Sequence, residues 1–231
     1  MIGIISAMQE EMQTLIESLQ DKKRLTRGMR TYYTGVLFDK KVVLVFSRWG
    51  KVASATTTTQ LINEFHPEAI IFTGVAGSVN DSLDIGDIVI GKHLYQYDVD
   101  ARPFFERFEV PILGKKYFET NTGMRTSLEV AAYSFVAEYN DHVDQQKAAA
   151  YSIGLPQVFT GNIGSGDRFI ATHEAVVEFN AILPEISCVE MEGAAVAQVC
   201  FEYDVPFAII RIISDKANDN AHIEFQKFAH D

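Results

Sequence analysis

ISCVEMEGAAVAQVCFEYDVPFAIIRIISD, residues 186–215, is the stretch whose reading decides the fold. ISCVEM carries a short apolar run, EGAAVAQVCFEY sets small and apolar residues at helical spacing, and FAIIRIIS is a second apolar run. The stretch reads strand, helix, strand. It also sets Glu190 and Glu192 two residues apart where the first apolar run becomes the helix, and it ends on Ser214-Asp215. Two negative charges at the mouth of a core call for a reason.

The same alternation runs back to the N-terminus. MIGIIS reads as a strand feeding a helix in MQEEMQTLIESL, and TYYTGVLF and KVVLVFS read as a hairpin turning at Asp39-Lys40. KVASATTTTQLINEF then reads as a helix and AIIFTGVAG as a buried strand ending in small residues. LDIGDIVIGKHLYQYDVD is long and β-rich, with a bend at Gly91. A helix over about 126–138, a glycine-rich junction TGNIGSGDRFIAT and a helix over about 172–180 lead into the deciding stretch. Such alternation predicts an α/β fold with three αβα layers, whose central sheet is mixed, largely parallel and twisted. No linker, low-complexity tract or repeat interrupts it, so residues 1–231 read as one domain. DARPFFERFEVPILGKKYFETN, residues 100–121, departs from the pattern with four phenylalanines, a tyrosine and two prolines. It reads as a long loop with apolar surface to bury, against its own core or as a lid or subunit contact.

The charge of -11 repels phosphate backbones and acidic membrane surfaces, so nucleic acid is not expected as a partner. Cys188 and Cys200 lie in apolar surroundings and read as buried free thiols. No apolar run reaches the ~18 residues of a membrane span, and the N-terminus lacks a signal peptide's basic start, so a cytoplasmic location is expected.

Several familiar motifs fail. THEAVVEF begins like a zinc-protease helix with His173 and Glu174 but has Val177 where the second ligand should stand, and no other ligand spacing suggests a metal. Gly50-Lys51 lacks the first glycine and the hydroxyl of a P-loop. The first strand runs into Ser6-Ala7-Met8 with no dinucleotide fingerprint, and no serine sits in a Gly-x-Ser-x-Gly elbow. No cofactor is implied.

In an α/β sheet, ligands bind beyond the carboxyl ends of the strands, and five such places stand out. They are Glu10-Glu11, Thr73–Gly77, Asp167–Ile170, Glu190-Met191-Glu192 and Ser214-Asp215. Singly, each has a structural reading, since a carboxylate in a first helical turn contributes about 0.3–1 kcal/mol against the helix dipole, and Ser-Asp is a common turn. Those readings do not explain why acids recur at several strand ends. Carboxylates from different strands could divide acid and base work at a glycosidic bond, with Glu192 accepting from vicinal sugar hydroxyls.

GIISAMQEEM, TGVAGS, SGDRFI, VEMEGAAVAQVC, VPFAIIRIISD and the spacing of SDKANDNAHIEF together resemble the 5′-methylthioadenosine/S-adenosylhomocysteine nucleosidases of the nucleoside phosphorylase superfamily. The resemblance runs the length of the chain. It implies hydrolysis of the N-glycosidic bond of an adenine thionucleoside, 5′-deoxyadenosine or aminodeoxyfutalosine being further substrates of the kind. By position, it implies Glu11 as the base that activates water, Glu192 with Met191 as binders of the ribose hydroxyls, and Asp215, oriented by Ser214, as the acid at adenine N7. Phe169 and Ile170 match the adenine-stacking residues, Ala76 and Gly77 lie in the small-residue turn beside the ligand, and Phe225 matches the 5′-alkylthio pocket. A homodimer is implied, with Phe104 completing the neighbouring subunit's pocket. Glu190 reads as a weaker binding candidate, open to an ion pair with Arg211. Anionic Glu192 would hold the sugar as it becomes cationic.

Three features depart from the family pattern: Arg48-Trp49, Tyr97 in place of a histidine before DVD, and the segment around 102–118. The sequence ends at FQKFAHD, where an incomplete final helix is expected. Two rival readings are a phosphorylase that uses phosphate, kept open by Arg48 and Arg168, and a non-catalytic adenine-nucleoside sensor.

Overall fold

The computed structural model describes residues 1–150, 153–217, 221 and 228. Strand β1 (Ile2–Ser6) leads through a 3-10 turn at Glu10–Met12 into α1 (Gln13–Glu17). A meander of β2 (Gln20–Arg27), β3 (Arg30–Leu37) and β4 (Lys40–Phe46) follows, then α2 (Lys51–Phe65), β5 (Ala69–Phe72), β6 (Val75–Ser78) and β7 (Ile88–Gln96). After the phenylalanine-rich segment come β8 (Phe118–Glu119), α3 (Thr122–Ala137), α4 (Tyr139–His142), α5 (Gln145–Ala150) and β9 (Val158–Ser165). The chain then forms α6 (His173–Ile182), β10 (Ile186–Glu190), α7 (Gly193–Glu202) and β11 (Phe207–Asp215).

These strands make one mixed sheet in the order β2-β3-β4-β1-β5-β11-β6-β10-β9-β7-β8. Strand β11 organises it. Its first residues pair in parallel with β5, its middle pairs antiparallel with β7, and its end pairs in parallel with β6, setting Asp215 opposite Gly77. The sheet therefore curls back on itself instead of lying open. Strand ends of β1, β6, β10 and β11 are thereby gathered on one side.

Period-two alternation assigns the faces. Val43 and Val45 of β4 point to the side where α2 supplies Leu61 and Ile62 and α7 supplies Ala194, Val196 and Cys200. Their neighbours Val42 and Leu44 point the other way, onto Met12 and Ile16. On β7, Val89 joins the first side, while Ile88 and Ile90 pack on Ala132 of α3. Both cysteines are buried and free, and burial pushes both thiols up in pKa. Among the described residues no helix is long and apolar enough to cross a membrane.

Four expectations need correction. The helix expected across MQEEMQTLIESL is only α1 and its 3-10 turn, because the residues before it fold around a carboxylate described below. β2 was not expected: its side chains are mostly exposed, so it lacks an apolar period and forms by pairing with β3. AIIFTGVAG breaks into β5 and β6 at Thr73-Gly74. The first half of the glycine-rich junction is strand β9, whose glycines leave room for side chains of adjacent strands, Ser187 lying over Gly161. In the segment 100–121, Val110 and Phe118 are buried while Phe104 and Ile112 stand in the open, so only part of its apolar surface goes to its own core.

Candidate active site

The first carboxylate is set by the turn after β1. The Ser6 hydroxyl and the amides of Ala7, at 3.0 Å, and Met8, at 2.9 Å, donate to Oε2 of Glu11, and the Val75 amide donates to Oε1 at 3.1 Å. Folding the chain over this group consumes the residues that would have started a longer helix. Oε2 carries three donors and Oε1 one, which leaves acceptor capacity on Oε1.

The two acids of VEME part company. Glu190 accepts from Gly193 N–H at 2.8 Å and Glu192 N–H at 3.3 Å, from the Ser165 hydroxyl, and from Arg211 Nη2 at 2.7 Å. It thereby satisfies the start of α7 and complements that helix's dipole. The ion pair with Arg211 is present and nearly dry, the two side chains being 1% and 4% exposed. Arg211 in turn lies over the Phe72 ring, 4.0 Å from its centroid.

Glu192 is also buried, but among the described residues its carboxylate receives only the amides of Gly50, at 2.8 Å, and Met191, at 3.2 Å. Burial, followed by the negative charge of Glu190, pushes its carboxyl up to about 8; the Gly50 amide, Arg211 and the Met191 amide oppose the shift and do not overcome it. Burial thus favours the neutral form of Glu192, and the anionic form expected beside a cationic sugar calls for donors beyond these two amides. Its Gly50 partner opens α2 at a φ of 91°, and a Cβ there would lie 3.0 Å from Asp167 Oδ1, so only glycine suits the position.

At the end of β11, Asp215 is 2% exposed. Its Oδ2 accepts from the Ser214 hydroxyl at 2.9 Å and its Oδ1 from the Ala217 amide at 2.9 Å. A Cβ on Gly77 would stand 2.7 Å from Oδ1, which is why the TGVAG turn needs a bare backbone where β6 meets β11.

These groups share one open cleft. Glu11, Glu190, Glu192, Ser214 and Asp215 line it, together with Ala76, Gly77, Met191, Phe169 and Ile170. Phe169 is half exposed over the opening, whereas Ile170 is buried against the helix α6 cluster. Phe104 is 87% exposed and is not part of the lining, and Phe225 lies outside the described residues. Trp49, Arg168, Met8 and Val75 also line the cleft. Of these, Trp49 stood out in the sequence only as a departure, while Arg168 lay within the Asp167–Ile170 strand end and served as support for a rival. The Gly50 amide, hidden in a failed P-loop match, had no sequence signal as a partner of Glu192. Among the described residues no group of histidines, cysteines or acids is placed to hold a metal ion. Three buried or hydrogen-bonded carboxyls around an apolar cleft, with an aromatic ring at its opening, suit proton transfer to and from a flat, partly apolar ligand.

The model of the phosphorylase superfamily matches residues 1–231. A 5′-methylthioadenosine/S-adenosylhomocysteine nucleosidase of Staphylococcus epidermidis is 36% identical over 229 residues, covering 99% of this chain and 92% of the relative. The crystal structure of the nucleosidase of that name from Neisseria meningitidis, in complex with methylthio-immucillin-A, superposes with a TM-score of 0.84 at 34% identity, covering 99% of this chain and 91% of the other. Futalosine hydrolase of Helicobacter pylori superposes with a TM-score of 0.79 at 31% identity, covering 99% and 90%.

Proposed function

The chain belongs to the phosphorylase superfamily, and we propose that within it this protein hydrolyses the N-glycosidic bond of 5′-methylthioadenosine and S-adenosylhomocysteine, releasing adenine and a 5-substituted ribose. The observation that carries the reading is the meeting of Glu11, Glu192 and Asp215 in one cleft beside Phe169.

Adenine stacks on Phe169 and Ile170, with N7 toward Asp215. The ribose hydroxyls face Glu192 and Met191, and water lies between Glu11 and C1′. As the C1′–N9 bond lengthens, Asp215 gives its proton to N7 and Ser214 keeps its carboxyl oriented. Positive charge gathers on the ribose, and Glu192, ionised once the hydroxyls supply the donors it lacks, stabilises that charge more than it stabilises the neutral substrate. The water oxygen bonds to C1′ and its proton passes to Glu11, which completes the hydrolysis.

Glu190 acts through the fold, holding Arg211 and the start of α7; Phe104, which is exposed, and Phe225 are assigned by resemblance to the 5′ substituent, the former across a homodimer. The nucleosidase relatives, named for methylthioadenosine and S-adenosylhomocysteine, support a substrate class of adenine nucleosides with varied 5′ groups; a cytoplasmic location belongs to the same proposal and rests on the sequence reading. The phosphorylase rival needs a cationic phosphate site. Against it, Arg48 donates to the Met29 carbonyl at 2.9 Å and Arg211 is spent on Glu190, leaving Arg168 at the cleft.

The test is adenine release from methylthioadenosine in phosphate-free buffer, with wild type and Asp215→Asn. Release by the wild type with a loss of about 10²–10⁴ in the variant supports the assignment. Release only after phosphate is added moves the protein to the phosphorylases, and binding without turnover makes it a sensor.

A further inference from the structure

Two consecutive residues beyond the end of β7 reach the turn that carries Phe169. The Tyr97 hydroxyl donates to the Arg168 carbonyl at 2.7 Å, and its ring meets Phe179 edge-on, with centroids 5.2 Å apart. A Cβ on Gly166 would run into that ring, so the turn and the tyrosine are fitted to one another. Burial raises the Tyr97 pKa, which keeps the phenol a donor at ordinary pH. The next residue, Asp98, accepts the Asp167 amide at 2.9 Å through Oδ2 and the Lys51 ammonium at 2.6 Å through Oδ1. Asp167 closes the circuit by accepting the Lys51 amide at 2.8 Å. Lys51 is the first residue of α2, and the amide just before it, Gly50, is the one that holds Glu192.

We propose that Tyr97 and Asp98 are positioning residues that clasp the 166–170 turn to the start of α2, so that Phe169 and Glu192 are held at a fixed separation. Resting on the reading of this cleft as a nucleoside site, the inference adds how its base-stacking and sugar-binding sides are kept in register. Neither residue lines the cleft: Tyr97 acts through the carbonyl of Arg168, which does, and Asp98 through Asp167 and Lys51, the chain neighbours of Arg168 and of Gly50. The closed circuit matters more than any one bond. The Lys51–Asp98 pair is partly exposed and by itself contributes little, but the bonds at the neighbouring residues Asp167 and Arg168, with the one from Lys51 across the fold, restrain one short turn from two sides.

The experiment compares wild type, Tyr97→Phe and Asp98→Ala by amide hydrogen exchange without ligand, by adenine affinity in equilibrium dialysis, and by KM and kcat for methylthioadenosine. Tyr97→Phe deletes one oxygen, so it keeps the fold even if Asp98→Ala does not. The expected result is faster exchange across 166–170 and a rise of about three- to tenfold in adenine Kd and KM, the range of one net hydrogen bond, with kcat within about twofold for Tyr97→Phe. Asp98→Ala should also lower kcat, since it frees the helix start that holds Glu192. A looser turn with unchanged adenine affinity would reduce the clasp to a brace and overturn the proposal, as would unchanged exchange. If the wild type itself bound no adenine while the variants still loosened the turn, the nucleoside reading of the cleft would fail first, and the positioning role with it.

Discussion

Replacing Glu192 with glutamine keeps the side chain's size and removes its ionisation, so it isolates the cost of a buried carboxyl that lacks donors. In the ligand-free protein that group is raised from 4.5 to about 8. The folded state thus keeps a proton that the unfolded chain has already released, and between these values the protein loses stability as pH rises. The contribution is complete below the unfolded pKa and is gone once pH has passed through the folded one. At about 1.4 kcal/mol per pKa unit, the pH-dependent part is on the order of 5 kcal/mol, of which roughly 4 kcal/mol falls between pH 5 and pH 9. Thermal unfolding of wild type and Glu192→Gln from pH 5 to pH 9 reads it directly, because the difference between the two cancels every other titrating group. The variant should gain on the wild type as pH rises, by roughly 8–16 °C in Tm for a chain of this size. A gap that stays flat across the range would refute the reasoning. It would mean that the Gly50 and Met191 amides already satisfy the ionised form.

Arg211→Met should destabilise the protein by about 3–5 kcal/mol in urea unfolding, since it strands buried Glu190, and adding Glu190→Gln should restore much of the loss. Gly77→Ala should lower kcat for adenine release more than tenfold, on the order of 1.4 kcal/mol or more of barrier, with a smaller effect on Tm, because its Cβ displaces the Asp215 carboxyl. Glu11→Gln should cut kcat by about 10²–10⁴ while leaving adenine Kd within a few-fold, read by steady-state kinetics and equilibrium dialysis.

The alternation of apolar runs and helical spacing carried most of the architecture, because burial on both faces writes a continuous apolar run into a strand such as FAIIRIIS. What failed were segments shaped by tertiary partners. β2 has no apolar period and exists by pairing with β3, and the residues before α1 give up helical geometry to surround Glu11. The acids at the strand ends were legible in the same way, since a carboxylate after an apolar run is conspicuous. Their donors were not, for most are backbone amides, which every residue possesses. Gly50 is the clearest case: its sequence context suggested a failed nucleotide loop, and its φ and its closeness to Asp167 become reasons only once the turn after β9 meets the start of α2.

The two charges of VEME now have separate explanations. Both sit at helix starts, Glu190 at that of α7 and Glu192, across the fold, at that of α2. Glu190 has a guanidinium, a hydroxyl and amides, and is a finished structural element. Glu192 has two amides, and among the described residues no cation pairs with it. A buried carboxyl left in that condition costs stability, so the position makes physical sense where something else supplies the missing donors. Two adjacent hydroxyls of a bound sugar are suited to that, and they would draw the proton off Glu192. Binding would then create the negative charge at the moment the ribose needs it, and substrate affinity should rise with pH toward about 8, where the ligand-free carboxyl ceases to hold its proton.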